Sequence, residues 1–270
     1  MGEPLVRFDD VGKVFANGTE ALSGLDLSIY EHEFLSLLGP SGCGKSTALR
    51  LIAGLATASS GDISWRGDET SMEKRLATDR RPAAERRLAA ERRLAVVFQE
   101  PTLMPWATVF DNVYLPLRLE GMTRQAARAP VEEAIGMVGL QGFEGAYPRE
   151  LSGGMKMRVS IARAIVTEPE LLLLDEPFAA LDEITRIKLN DDLLDLWRRK
   201  RWTVVFVTHS VYESVYLSNR IVVMTARPGR VSAEVPIDSP YPRTEAFRTS
   251  SPYNDFCRSV SSKLKQAMAV

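Results

Sequence analysis

The sequence predicts an α/β fold: a mainly parallel sheet with a glycine-rich turn between one strand and one helix, and an antiparallel β part. Three observations predict it. Phe34 to Leu38 is an apolar run that enters Gly39-Pro40-Ser41-Gly42-Cys43-Gly44-Lys45-Ser46-Thr47 and leaves into Ala48 to Ala53 on helical spacing. Leu171 to Leu174, Trp202 to Thr208 and Ile221 to Met224 are continuous apolar runs, as expected of parallel strands covered on both faces. Leu5 to Phe8 and Leu25 to Ile29 instead alternate apolar with polar residues, the pattern of half-buried antiparallel strands.

Between those two alternating segments, Val14 to Gly18 reads as a turn carrying one aromatic, Phe15, either a core residue or a platform for a planar base. After the first helix, Gly54 to Gly61 reads as a helix end and turn, and Asp62 to Trp65 as a short strand. Residues 66 to 95 change character. They are rich in Arg and Glu, and Ala84 to Ala89 is repeated at once as Ala90 to Ala95. A six-residue unit matches neither the helical nor the strand period, so this is read as a duplication in a surface loop, the other reading being a regulatory or partner-binding helix. Val96 to Gln99 resumes a buried strand. Pro101 and Pro105 break the chain, and Trp106 to Arg118 and Arg124 to Val138 read as helices. Ser152 to Val166 is a clearer helix with Ser152 as its N-cap. Residues 182 to 200 form a charged amphipathic helix between two apolar strands, so the second half reads βαβ. From Arg227 onward Pro, Ser and charged residues dominate, which predicts a surface tail without chemistry.

Composition narrows the function. The 270 residues are 45% hydrophobic and 26% charged, those of an ordinary globular chain. A net charge of −1 offers no field to gather a polyanion, which argues against nucleic acid as a partner. No run approaches the roughly 20 apolar residues that span a bilayer, and Met1-Gly2-Glu3-Pro4 lacks the character of a signal peptide, so a cytosolic chain is expected. Cys43 and Cys257 are too few for a disulfide framework and are read as reduced thiols.

The chemistry is concentrated at strand ends. In residues 39 to 47 the glycines Gly39, Gly42 and Gly44 are expected to curl the backbone with positive φ, so that successive N–H groups meet phosphate oxygens at a helix N-terminus. Lys45 would reach the β- and γ-phosphates and the Ser46 hydroxyl a magnesium ion. Asp175, at the end of the Leu171 to Leu174 strand, is placed for a second magnesium contact, and Glu176 to polarise the water that attacks the γ-phosphate. Ser152, Gly153 and Gly154 offer a hydroxyl and bare amides at a helix start, a second anion site. One nucleotide needs that site only if a second copy of the chain supplies it. His209 follows the Val204 to Val207 strand and is read as a γ-phosphate contact. Gln99, at a third strand end, is placed to reach the metal or its water.

Over roughly residues 5 to 230 this set resembles the nucleotide-binding subunit of an ATP-binding cassette (ABC) transporter, built on a P-loop NTPase core. Residues 39 to 47 resemble that family's Walker A, Gln99 its Q-loop, Leu151 to Met155 its signature, Leu171 to Glu176 its Walker B, Ala180-Leu181-Asp182 its D-loop and His209 its switch histidine. Phe15 falls where the family stacks adenine. The resemblance implies a core from residues 1–98 and 167–230, a helical subdomain from 99–166 and a tail from 231–270. It also implies a head-to-tail homodimer that sandwiches two ATP with Mg2+, an integral-membrane permease touched by the helical subdomain, a solute-binding protein acting indirectly, and a peripheral place on the cytoplasmic side of the inner membrane. Leu151 to Met155, Glu100-Pro101, Met104-Pro105-Trp106, Asp175-Glu176-Pro177-Phe178 and Ala226-Arg227-Pro228-Gly229 are most similar to importers of the nitrate, sulfonate and taurine type, a group that includes importers of pyrimidine-like vitamin precursors. Met155 and Met157 stand where Gln is commoner.

A soluble cassette ATPase acting on nucleic acid or ribosomes would carry two cassettes or coiled-coil insertions. A nucleotide kinase or GTPase would leave the Ser152 helix start without a task. A module that binds ATP without turning it over would not keep Glu176.

Overall fold

The computed structural model describes residues 2–66 and 94–269. Apart from Leu94 and Ala95, the duplication therefore lies outside the described residues. In chain order the elements are β1 (Val6–Val14), β2 (Glu20–Ile29), β3 (Phe34–Leu38), α1 (Lys45–Ile52), β4 (Ser60–Trp65), β5 (Leu94–Val97), α2 (Val109–Leu119), α3 (Arg128–Met137), α4 (Gly153–Ile165), β6 (Leu171–Asp175), α5 (Glu183–Lys200), β7 (Thr203–Thr208), α6 (Val211–Leu217), β8 (Arg220–Met224), β9 (Val231–Pro236), α7 (Glu245–Arg248) and α8 (Ser251–Met268). They fall into two compact units, residues 1–92 with 203–270, and residues 93–202. No helix among the described residues is long and apolar enough to cross a membrane.

The first unit contains an antiparallel sheet in the order β2-β1-β4. Its alternation of buried and exposed positions is the one expected from sequence, interrupted where β1 bulges between Phe8 and Val11. At that bulge β4 passes with Gly61, where an added Cβ would stand 2.2 Å from the Asp10 carbonyl oxygen. The same unit holds the strands β7, β3, β8 and β9. Every residue of β3 is buried, because it pairs in parallel with β7 on one side and β8 on the other. Phe34 and Phe206 meet across that pairing with ring centroids 5.9 Å apart.

The C-terminal stretch, expected as a surface tail, is folded. Strand β9 pairs antiparallel with β8, Val235 opposite Ile221, and α8 buries Tyr253, Cys257, Val260 and Ala267 along one stripe. The polar composition hid this helix because its apolar stripe is only about one residue wide per turn.

The second unit pairs β5 with β6 in parallel, from Leu94 opposite Leu171 to Val97 opposite Leu174. The last two residues of the duplication are thus strand residues. Helix α4 packs on α2, α3 and β5. The helix starts are set by caps: Thr108 accepts from the Asp111 amide, Ser152 from Met155 and Asp182 from Thr185. The Thr108 cap explains why α2 begins at Val109 and not at Trp106.

Candidate functional site

The phosphate-loop geometry is present in the first unit. Gly42 and Gly44 have φ of 78° and 97°, and Gly44 is the N-cap of α1 with no side-chain cap of its own. That leaves the first amides of α1 for an anion to accept from. Gly39 is not left-handed, contrary to expectation. Its glycine is required by space, since a Cβ would stand 2.7 Å from the Cys43 sulfur and 3.2 Å from the Met224 carbonyl oxygen. Gly44 is required twice over, with Leu22 Cδ2 at 2.6 Å from the position of an added Cβ. Lys45 is only 4% exposed, and its ammonium donates to the carbonyls of Gly39 (2.8 Å) and Pro40 (3.0 Å). The cation thereby closes the loop into a ring, while Ser41 and Gly42 are exposed and Ser46 and Thr47 half-buried. Cys43 is fully buried, a small side chain inside the ring.

Strand register puts the other predicted residues of this unit level with the loop. Leu38 pairs with Thr208, so His209, exposed, leaves its strand where Gly39 leaves β3. On the opposite side Leu38 pairs with Val223, and the chain there runs on into Ala226-Arg227-Pro228-Gly229. The carboxyl ends of adjacent parallel strands are where such sheets bind ligands. Phe15 lies in the β1–β2 turn, closed by Phe15 N–H to Thr19 and Gly18 N–H to Phe15. Its ring is 39% exposed with the Lys13 ammonium 5.6 Å from its centroid, so it is not a core residue. The strand after that turn packs Ala21 and Leu22 against Gly44.

The second unit carries Gln99, Ser152 to Gly154, Asp175 and Glu176. Because Val97 pairs with Leu174, Gln99 and the two acids leave neighbouring strand ends. Asp175 and Glu176 are half-buried, and Glu176 has φ 47°, a left-handed conformation that costs a non-glycine residue on the order of 1 kcal/mol. At α4, Ser152 and Gly153 are exposed, whereas Gly154 is buried. Met157 is 2% exposed, so a Gln of similar length there would have to bury its amide. Asp182 caps α5, and the Thr185 amide followed by the Thr185 hydroxyl holds its carboxyl below the ordinary range.

Sequence reasoning missed the residues that fix the segment after Gln99. Asn112, fully buried on α2, accepts from the Met104 amide (2.8 Å) and donates to the carbonyls of Ala107 (3.1 Å) and Thr108 (2.9 Å). Arg163 on α4 donates to the carbonyls of Pro101 and Thr102, each at 2.9 Å. An Asn among Val109, Phe110, Val113 and Tyr114 was the available signal, since a polar residue on an apolar face must find partners. The Ala226 to Gly229 turn was also given no structural task. Gly229 donates to Ala21 (2.9 Å) and accepts from Ser23 (3.2 Å), and an added Cβ would stand 2.0 Å from the Cys43 carbonyl oxygen. It is a backbone support for the phosphate loop, with Arg227 Nε 3.4 Å from the Gly42 carbonyl oxygen.

The family model described as ABC transporter matches residues 22–179. An uncharacterized ABC transporter ATP-binding protein of Methanocaldococcus jannaschii is 44% identical over 263 residues, 96% of this chain and 91% of that protein. An aliphatic sulfonates import ATP-binding protein of Bacillus licheniformis is 45% identical over 235 residues, 86% of this chain and 84% of that protein. Among solved structures, a dimeric ATP-binding cassette in a post-hydrolysis state, bound to ADP and phosphate, matches with a TM-score of 0.73 at 32% identity, covering 87% of this chain and 99% of that one. With a family model spanning more than half of the sequence and relatives spanning nearly all of it, the chain belongs to the ABC transporter family, as an ATP-binding subunit that hydrolyses ATP.

Proposed function

We propose that two copies of the chain bind head to tail and close on two ATP molecules, each held between the phosphate loop of one copy and the start of α4 of the other. Opening and closing then drives an integral-membrane permease, with the chain lying peripherally on the cytoplasmic side of the inner membrane. The observation that carries this reading is the start of α4, where Ser152 and Gly153 present a hydroxyl and helix-start amides at the surface. ATP acts as a ligand that favours the closed dimer, and hydrolysis removes that difference in affinity.

In this reading Lys45 and the loop amides of Gly39 to Thr47 bind the phosphates, Phe15 stacks on adenine and His209 contacts the γ-phosphate. Magnesium suits the donors assigned to it, the Ser46 hydroxyl, the Asp175 carboxylate and the Gln99 amide, because these are hard oxygens too few for an all-protein cage. Among the described residues no group of three His, Cys, Asp or Glu could hold a metal by itself. The ion, when bound, neutralises charge on the β- and γ-oxygens. Glu176 accepts a proton from water as the new oxygen–phosphorus bond forms and the bond to the bridging oxygen breaks, giving ADP and phosphate. The left-handed backbone at Glu176 supports this role, since strain of that kind persists where function uses it.

The relative from Bacillus licheniformis supports a sulfonate-type small solute, with nitrate, taurine and pyrimidine-like vitamin precursors as the neighbouring choices. Residues 99–166 are the part proposed to touch the permease, and a solute-binding protein acts on the far side of the membrane. The second reading is a soluble cassette ATPase not coupled to transport.

Light scattering after size exclusion tests the sandwich. Wild type and Glu176→Gln should both be monomers without nucleotide. With ATP and magnesium the variant should persist as a dimer, bind ATP normally and lose turnover. Unchanged turnover would remove Glu176 from its role, and ATP binding without dimerisation in either chain would count against the assignment of Ser152 to Gly154.

A further inference from the structure

The helix that follows His209 is too short to stand on its own. α6 has seven residues, where isolated helices below roughly 12 are marginal in water. It is held at both ends. At its start Ser210 Oγ accepts from the Glu213 amide, and the Thr208 hydroxyl donates to the buried Glu213 carboxylate (2.6 Å) and accepts from the Ser210 amide (3.0 Å). These bonds bracket His209 on either side.

At its end nearly every carbonyl is taken by the C-terminal segment. Arg243, 4% exposed, donates from Nη1 to the carbonyls of Val215 (3.0 Å), Tyr216 (2.9 Å) and Ser218 (2.9 Å). Tyr241 donates to Leu217 (2.9 Å), and at the helix start Tyr253 donates to Tyr212 (3.1 Å). The other amino group of Arg243 returns to the carbonyls of Ile237 (3.2 Å) and Ser239 (3.1 Å), and its guanidinium lies 4.2 Å from the Tyr241 ring centroid. A buried cation at a helix C-terminus meets both the orphan carbonyls and the negative end of the helix dipole.

We infer that Arg243 is a positioning residue for ATP hydrolysis, which fixes α6 and, through Glu213 and Thr208, the turn that presents His209 beside the phosphate loop. The inference rests on the γ-phosphate role proposed for His209. Lysine cannot replace this arginine, because a single ammonium lacks the planar fork that reaches carbonyls on two segments while stacking on an aromatic ring.

The test is a double-mutant cycle on the full chain, with Arg243→Lys and Tyr241→Phe each made in the wild-type and the His209→Ala backgrounds. Single-turnover phosphate release, KM for ATP and the thermal midpoint are measured for each. Arg243→Lys should lower kcat roughly five- to twentyfold with KM within about twofold, and should cause no further loss once His209 is gone. Tyr241→Phe, which deletes one hydroxyl, should move kcat the same way by about twofold and carries the cycle if Arg243→Lys does not fold. Equal proportional losses in both backgrounds would make Arg243 a stability residue and overturn the inference. So would a large loss in His209→Ala beside unchanged turnover in Arg243→Lys and Tyr241→Phe. Wild-type turnover in His209→Ala would instead remove the role of the histidine itself, and the inference with it.

Discussion

Gly154 has no room for a side chain, and its neighbour Gly153 has. An added Cβ at 154 would stand 2.6 Å from Thr185 Cγ2, whereas at 153 the nearest atom is Leu181 Cδ2 at 3.5 Å, an ordinary contact. Gly154→Ala should therefore cost about 1–3 kcal/mol in denaturant unfolding, the usual range for overpacking. Adding Thr185→Ser, which removes the offending methyl and keeps the hydroxyl that bonds Asp182, should restore most of that loss. No rescue would show that Thr185 Cγ2 is not the atom that excludes a side chain at 154. At this scale sequence reading worked where a residue's task is local. Ser152 and Asp182 are helix caps because their oxygens meet an amide three residues on, and residue type with spacing discloses that. It failed at Gly39, where the neighbours that demand a glycine are Cys43 and Met224, the second brought close only by the sheet.

Elements that pair over long stretches of chain were harder to foresee than elements that cap themselves. The buried strands β3, β6, β7 and β8 were legible because an apolar run of that length has few other uses. The turn after β8 was legible only as a family-like motif, and its physical task appears once β2, β8 and the phosphate loop are side by side. Thr225 closes the turn on itself by donating to the Pro228 carbonyl (2.9 Å) and accepting from the Arg230 amide (3.0 Å). Gly229 then lies against the backbone of Cys43, which cannot yield as a flexible side chain would. Gly229→Ala should weaken ATP binding by at least roughly tenfold, about 1.4 kcal/mol, measured by titration calorimetry. Arg227→Ala should change affinity by less, since that exposed guanidinium makes one long contact to Gly42. Wild-type affinity in Gly229→Ala would show that the loop keeps its shape without the turn.

Across the whole molecule, the charged stretch before β5 connects one compact unit to the other, leaving β4 at Trp65 in the first and entering β5 at Leu94 in the second. The duplication ends inside β5, with Leu94 opposite Leu171 and Ala95 opposite Leu172. Removing either copy of Ala-Glu-Arg-Arg-Leu-Ala gives the same sequence, so Leu-Ala still precedes Val96 and the strand keeps its register. If the stretch is the surface loop its composition predicts, only the length of a connection changes, and loop-closure entropy depends on length only logarithmically, each doubling costing about 0.6 kcal/mol. Losing six residues should thus shift stability by no more than a few tenths of a kcal/mol and leave ATP hydrolysis within about twofold of wild type. A large loss of turnover with unfolding unchanged would assign the stretch a regulatory task, and a large loss of stability would mean that the first copy packs on one of the units. The direct measurement is steady-state hydrolysis beside urea unfolding for the chain lacking one copy. Its expected neutrality separates this connection from the equally polar C-terminal segment, where Arg243 and Tyr241 are bound to the helix that follows His209.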